Sequence, residues 1–185
     1  GIVGIGGLGH MGIKIAHAMG AHVVAFTTSE SKLDEARALG ADEVVDYKQQ
    51  QFQDVLRDYD AVLGTVKGEV IEQSVGILKP GGRIASLVGP LDAAFARTRG
   101  LNVLLRIVFG LMSRKILRLA GKRGVAYSFL FVHPDGGQLA EIGALLESGR
   151  LRPVIDKVFP FEQATDALAY LAQGRARGKV VVRLR

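Results

Sequence analysis

Apolar residues along this 185-residue chain recur in two alternating rhythms. Short β-rich runs give way to stretches in which apolar side chains return every three or four residues, the spacing of one helical face. The chain opens on such a run and turns directly into a helical stretch over 8–19, where Met11, Ile15, Ala18 and Met19 keep helical spacing and Gly20 stops it. The pattern then predicts a strand over 22–27, a helix over 31–39 ending at Gly40, a strand over 43–46, a polar helix over about 49–57 and a strand over 61–64. A helix over 69–78 is expected to stop at Lys79-Pro80-Gly81-Gly82, and a strand over 83–88 to end at Gly89-Pro90. An amphipathic, basic helix from 101 to about 120 follows, then a strand over 126–132. Pro134-Asp135 caps a helix over 138–146 that ends at Gly149.

Strands that alternate with helices demand right-handed crossovers and a parallel sheet covered on both faces. The expected fold is therefore α/β, a doubly wound parallel six-stranded sheet of the Rossmann type. Residues 151–185 depart from the rhythm, with an extended run over 153–159, a short helix over 161–171 and a strand over 179–184. A strand–helix–strand extension after a finished sheet belongs to another layer. The expected domains are thus 1–150, binding a dinucleotide, and 151–185, a C-terminal segment.

Composition narrows this little. The chain has no Cys and no Trp, which excludes disulfides and thiolate metal sites within it and suits a reducing, cytoplasmic setting. No apolar run approaches the ~20 residues that cross a bilayer. Part of the formal charge of +6 comes from Arg97, Arg99, Arg106, Arg114, Lys115, Arg118, Lys122 and Arg123, a region without an acid. A solvated helix face is expected there, with neither nucleic acid nor membrane as partner.

The candidate chemistry lies at the start. Gly4-x-Gly6-x-x-Gly9 joins the first strand to the first helix, the context a diphosphate-binding turn requires. Gly4 permits the tight turn, Gly6 lets backbone approach a pyrophosphate, and Gly9 lets helix and strand pack closely; the phosphates meet N–H groups at the helix N-terminus. His10 follows the last glycine, where it could touch phosphate, but a solvated helix position is the expectation. NAD-preferring sites carry an acid at the end of the second strand. Here that strand ends in Thr27-Thr28-Ser29, with Lys32 a turn later, and hydroxyls with an ammonium suit a 2′-phosphate that an acid would repel. Glu30 is the one nearby counter-argument, and Ser29 or Ser31 could equally cap a helix. NADP(H) is the expected cofactor. No Tyr-x-x-x-Lys, no Gly-x-Ser-x-Gly and no metal-binding spacing of His10, His17, His22 and His133 occurs, so no catalytic or metal-ligating residue is assigned.

These residues resemble a known family. GIGGLGHMGIKIAHAMGA, FTTSESK and LGADEVVDY look like the cofactor domain of zinc-type alcohol dehydrogenases and quinone oxidoreductases, the medium-chain dehydrogenase/reductases. LKPGGRIASL, FVHPDGGQLAEIGALLESGRLRPVID and VFPFEQATDALAYLAQGRARGKVVV resemble the quinone-reductase branch, so the likeness covers essentially the whole chain. It implies a pyrophosphate turn at Gly4, Gly6, Gly7, Leu8 and Gly9, and a 2′-phosphate pocket at Thr27, Thr28, Ser29 and Lys32 closed by Tyr47. It further implies ribose and nicotinamide contacts at Val88, Gly89, Phe129, Leu130 and Phe131. It implies a cofactor contact at Thr65 too, in a loop, 63–68, that lacks the family's usual Asp and gains Lys67. The resemblance also implies a homodimer through an edge strand, Tyr127–Val132, and an N-terminal barrel-like (GroES-like) catalytic domain upstream on which 151–185 would pack. Any zinc would belong to that domain. The implied activity is hydride transfer between NADPH and a small-molecule quinone, enone, aldehyde or alcohol, with the isolated chain inactive. The alternative from the residues is a stand-alone, non-catalytic dinucleotide-binding module.

Overall fold

A computed structural model describes residues 1–27, 31–174 and 176–184, with Ser31 and Lys32 described for their backbone alone. Strands β1 (Ile2–Val3), β2 (Val24–Thr27), β3 (Glu43–Asp46), β4 (Tyr59–Gly64), β5 (Leu78–Ser86) and β6 (Ala126–Phe129) form one sheet in the order β3-β2-β1-β4-β5-β6. Every pairing in it is parallel. Strands buried on both faces read as unbroken apolar runs; Val24-Ala25-Phe26 of β2 is such a run, closed by the buried Thr27. Between the strands run α1 (Gly7–Ala18), α2 (Ser31–Ala38), α3 (Phe52–Val55), α4 (Val70–Gln73), α5 (Ala93–Thr98) and α6 (Val103–Lys122). α7 (Gly136–Glu147) follows β6, and β7 (Ile155–Pro160), α8 (Ala164–Ala172) and β8 (Lys179–Arg183) form a separate unit with its own two-stranded parallel sheet.

The core lies on both faces of the large sheet. One cluster packs Phe26 on Phe52, ring centroids 4.8 Å apart, with Val62, Ile77, Ile84 and Ile116. The other gathers Ile5, Ile13, Val23, Ala36 and Leu39, and Val154 from the C-terminal unit packs against it. Leu151 is buried and the Arg150 guanidinium donates to Ala18 O at 2.9 Å, so the chain passes from sheet to terminal unit in contact with α1.

The elements follow the sequence reading, with local differences that have physical causes. The polar helix shrinks to α3 because Gln49 to Gln51 offer no apolar stripe; Phe52 is its buried anchor, and Asp58 at φ 64° turns the chain away. The expected 69–78 helix breaks into α4 and a 3-10 turn, Ser74–Ile77, where the buried Ser74 hydroxyl donates to Val70 O at 2.7 Å. Such back-bonding competes with regular helix. Lys79 to Gly82 lie inside β5, at an irregularity in its register with β4. The expected 126–132 strand ends at Phe129, since β5 stops at Ser86; Leu130 N donates to Ser86 O at 2.9 Å as the last rung. α5 was not expected from the pattern, and Asp92 starts it by accepting from Phe95 N at 2.6 Å.

Candidate functional site

The strand order reverses between β1 and β4, and a crevice outside the carboxyl ends of such strands is where ligands sit in doubly wound sheets. The glycine turn leaves β1 at that place. Gly4 has φ 91°, and a Cβ there would meet Val66 Cγ1 at 2.5 Å and Thr65 Oγ1 at 2.7 Å. The Thr65 hydroxyl, just past β4, donates to Val3 O at 2.7 Å and approaches Gly4 O at 3.1 Å, while Thr65 N donates to Val3 O. Thr65 therefore laces the two reversing strands together beneath the turn. A Cβ on Gly9 would stand 1.9 Å from Gly4 O, whereas one on Gly6 would meet nothing within 4 Å. Gly9 is thus demanded by packing, and the Gly6 backbone is open to an approaching group. α1 begins at Gly7 with no acid in its first turn, and Leu8 points outward, exposed.

To one side, Thr27 closes β2, buried, in register with Asp46, and Tyr47 N donates to its carbonyl at 3.1 Å. Tyr47 itself is half-buried against the core. Thr28 and Ser29 lie outside the described residues, as does the side chain of Lys32. To the other side, the Ser86 hydroxyl accepts from Gly89 N at 2.7 Å and fixes the turn through Val88 and Gly89. Those two residues share a cavity of about 350 Å³ with Lys67, Gly68 and Ile71 of the loop and helix after β4. Tyr127 donates to Pro90 O at 2.9 Å, and burial pushes its phenol up to about 12. Phe129 and Phe131 pack around Phe95 of α5, with centroids at 5.3 and 5.7 Å; Leu130 between them is exposed. The Arg99 guanidinium lies 4.3 Å from the Phe131 ring centroid.

The structure thus brings Gly4, Gly6, Gly7, Leu8, Gly9 and Thr65 into one cluster. Thr27 with Tyr47, and Val88 with Gly89, flank it along the same carboxyl edge of the sheet. Phe129, Leu130 and Phe131 stand at that edge too, at the end of the outermost strand.

Other residues differ from the reading. His10 is 2% exposed, not solvated, with Nε2 3.4 Å from Glu35 Oε1, because its face of α1 turns toward α2. Lys179 joins this end of the site without any sequence signal: a side chain on Gly7 would meet its Nζ at 3.7 Å, a contact across 172 positions that no local motif announces. At the opposite edge, His22 Nε2 sits 2.7 Å from Glu43 Oε1, a contact that raises the imidazole above its ordinary value. The described residues contain no group of three or more His, Asp or Glu placed to hold a metal ion, and the chain has no Cys; these residues do not build a zinc site.

Two family models match. Residues 39–182 match a model described as zinc-binding dehydrogenase, and residues 1–71 match the C-terminal domain of alanine dehydrogenase/PNT. The chain is 32% identical over 184 residues to the mitochondrial NAD(P)H oxidoreductase RTN4IP1 of Danio rerio, covering 97% of this chain and 47% of that protein. It is 31% identical over 182 residues to the chloroplastic NADPH-dependent alkenal/one oxidoreductase of Arabidopsis thaliana, covering 97% and 38%. The solved quinone oxidoreductase of Coxiella burnetii superposes with a TM-score of 0.77 at 25% identity, over 100% of this chain and 52% of that one. The chain spans about half the length of these proteins, or less.

Proposed function

This chain belongs to the zinc-binding dehydrogenase family, and from that membership we propose that it is the NADP(H)-binding portion of a medium-chain oxidoreductase. The observation that carries the proposal is the turn at the strand reversal. Gly9 is forced by packing, Gly6 is left open, and Thr65 braces the turn from β4. When bound, the dinucleotide supplies the hydride, and the protein supplies position and electrostatics. The Gly6 and Gly7 backbone at the α1 N-terminus receives the pyrophosphate. Thr27, Thr28, Ser29 and Lys32, with Tyr47 beside them, hold the 2′-phosphate. Val88, Gly89 and the 129–131 segment orient ribose and nicotinamide.

The substrate class we propose is a quinone, an enone, or an aldehyde–alcohol pair. A relative named for alkenals and enones and a structural neighbour named for quinones support it. NADP(H) over NAD(H) rests on the hydroxyls and lysine after β2; the NADPH in the Arabidopsis relative's name agrees. The rest of the proposal comes from the family's pattern. An N-terminal barrel-like domain completes the substrate pocket and holds any zinc, residues 1–150 form the cofactor domain, and 151–185 pack on the N-terminal domain. A second copy pairs along Tyr127–Val132, where β6 is the sheet edge and Leu130, Phe131 and Val132 are exposed. The setting is cytoplasmic, with neither nucleic acid nor membrane as partner; no helix among the described residues is long and apolar enough to cross a bilayer.

Calorimetric titration of this chain with NADPH and NADH tests the cofactor assignment. NADPH is expected to bind more tightly, and Lys32→Ala to weaken NADPH much more than NADH. Equal affinity for the two ends the preference, and binding of neither ends the cofactor reading. Turnover is expected only after an N-terminal domain is supplied. NADPH oxidation that still fails with the domain present favours a non-catalytic module.

A further inference from the structure

The two ends of α1 are met by Arg150, just before the C-terminal unit, and by the unit's own Gly178–Lys179, with opposite electrostatic consequences. At the far end, the Arg150 guanidinium donates to Ala18 O, where a helix presents free carbonyls and partial negative charge. That placement is favourable. At the near end, Gly178 and Lys179 cross the first turn: a side chain on Gly7 would meet Gly178 O at 3.5 Å and Lys179 Nζ at 3.7 Å. Lys179 is exposed, and its ammonium beside the N-terminus of a helix faces partial positive charge, a mildly unfavourable placement that an anion between the two would turn favourable. The first turn of α1 supplies no acid, and no carboxylate of the described residues pairs with Lys179.

The backbone that carries this lysine is tightly placed. Gly178 has φ 151°, and a Cβ there would stand 2.5 Å from Val154 O, so a side chain would push the strand away. Lys179 N donates to Val154 O at 2.8 Å, and Val154 packs against the cluster around Ile5 and Ile13. The fold therefore holds the start of β8 over the glycine turn and leaves only the flexible end of the side chain free to move.

We propose that Lys179 is a phosphate clamp: its ammonium donates to the pyrophosphate of the dinucleotide seated on the Gly4–Gly9 turn. The anion is then held from two sides, by helix N–H groups below and by an ammonium from the C-terminal unit above. This inference rests on the cofactor reading given above and adds a residue and a role to it. It also gives 151–185 a function within the site: Arg150, at the residue before the unit, ties the chain to one end of α1, and Lys179 ties the unit to the other end through the ligand.

Calorimetric titration of the wild-type chain, Lys179→Met and Lys179→Arg with NADPH, NADH and adenosine 2′-monophosphate tests it. A charge-assisted hydrogen bond of ordinary strength corresponds to about tenfold or more in affinity. Lys179→Met is therefore expected to weaken NADPH and NADH by similar factors of that size. The nucleotide that lacks a pyrophosphate should bind unchanged, and Lys179→Arg should recover most of the loss. Dinucleotide affinity unchanged in Lys179→Met overturns the clamp while leaving the cofactor reading intact. So does an equal loss for adenosine 2′-monophosphate, which would mark a general structural effect. A wild-type chain that binds no dinucleotide overturns the cofactor reading, and the clamp with it.

Discussion

A side chain on Gly9 would occupy the place of the Gly4 carbonyl: its Cβ would stand 1.9 Å from Gly4 O and 2.9 Å from the carbonyl carbon. The first turn of α1 lies against the end of β1 with no room for one methyl group. Because both obstructing atoms are backbone, nothing can rotate aside. Gly9→Ala is expected to cost about 2 kcal/mol or more, in the upper range of overpacking, read as a lower urea midpoint. Gly6→Ala is the contrast, since a methyl there meets nothing within 4 Å. Its stability should stay within about 0.5 kcal/mol of wild type, while NADPH affinity falls by at least about tenfold, or ~1.4 kcal/mol. A Gly6→Ala chain that binds NADPH normally would show that no phosphate approaches that backbone.

Thr65 makes the second prediction. Its hydroxyl reaches Val3 O at 2.7 Å and Gly4 O at 3.1 Å, joining the strands on either side of the topological reversal. Thr65→Val keeps the shape and removes the donor, at a cost of about 1 kcal/mol for a part-buried hydrogen bond. Thr65→Ser keeps the donor and should recover most of that. NADPH affinity should fall in the valine variant and return with serine, since the bond positions the turn. Identical melting curves for all three proteins would remove Thr65 from the brace.

These two residues mark what the chain discloses by itself. β1, the glycine turn and α1 were legible because strand, turn chemistry and helical spacing agree within the first twenty residues. β3, Glu43–Asp46, is legible residue for residue, since Gly40 ends the helix before it and Val44-Val45 is a β-branched pair. Contacts made across long separations were not legible. Thr65 was assigned through the loop's resemblance, but its bond to Val3 spans 62 positions, and nothing in either segment encodes it. Lys179 stands in an ordinary terminal strand, and only the folded path of 151–185 sets it over Gly7. The burial of His10 is not legible, because helical spacing says which residues share a face, not that a neighbouring helix covers it. The capping preference of Asp92 is real but too local to announce a six-residue helix.

Helix α6 supplies a third prediction. Of its twenty residues only Ser113, Ile116 and Ala120 are buried, while Leu104, Ile107 and Leu111 are 69, 55 and 62% exposed. The basic stretch was expected to be a solvated face, yet it carries apolar side chains as well as cations, with Lys115 paired to Glu72. Ile107→Lys and Leu111→Lys should therefore change unfolding stability by no more than about 0.5 kcal/mol. Ile116→Ala, at 2% exposure, should cost about 2–5 kcal/mol. Comparable losses at the exposed and buried positions, measured in one denaturant series, would show that the outward face is covered in solution.

The last prediction concerns pH at the edge of the sheet remote from the glycine turn. The Glu43 carboxylate holds the His22 imidazole above its ordinary value of 6.5, with Asp42 adding to the effect. The same contact holds Glu43 below its usual range, and a hydrogen bond from Val23 N does so for Asp42. The raised imidazole contributes stability that is full below 6.5 and is lost as pH rises through its folded value. The lowered carboxylates contribute stability present above the ordinary carboxylate range and lost as pH falls through their folded values. Both contributions are therefore intact only in a mildly acidic window, between the usual carboxylate titration and that of histidine. Urea midpoints followed from pH 5 to 9 should decline on the alkaline side in wild type, and His22→Gln should flatten that limb without moving NADPH affinity. A variant that kept the full alkaline decline would place its origin in some other group.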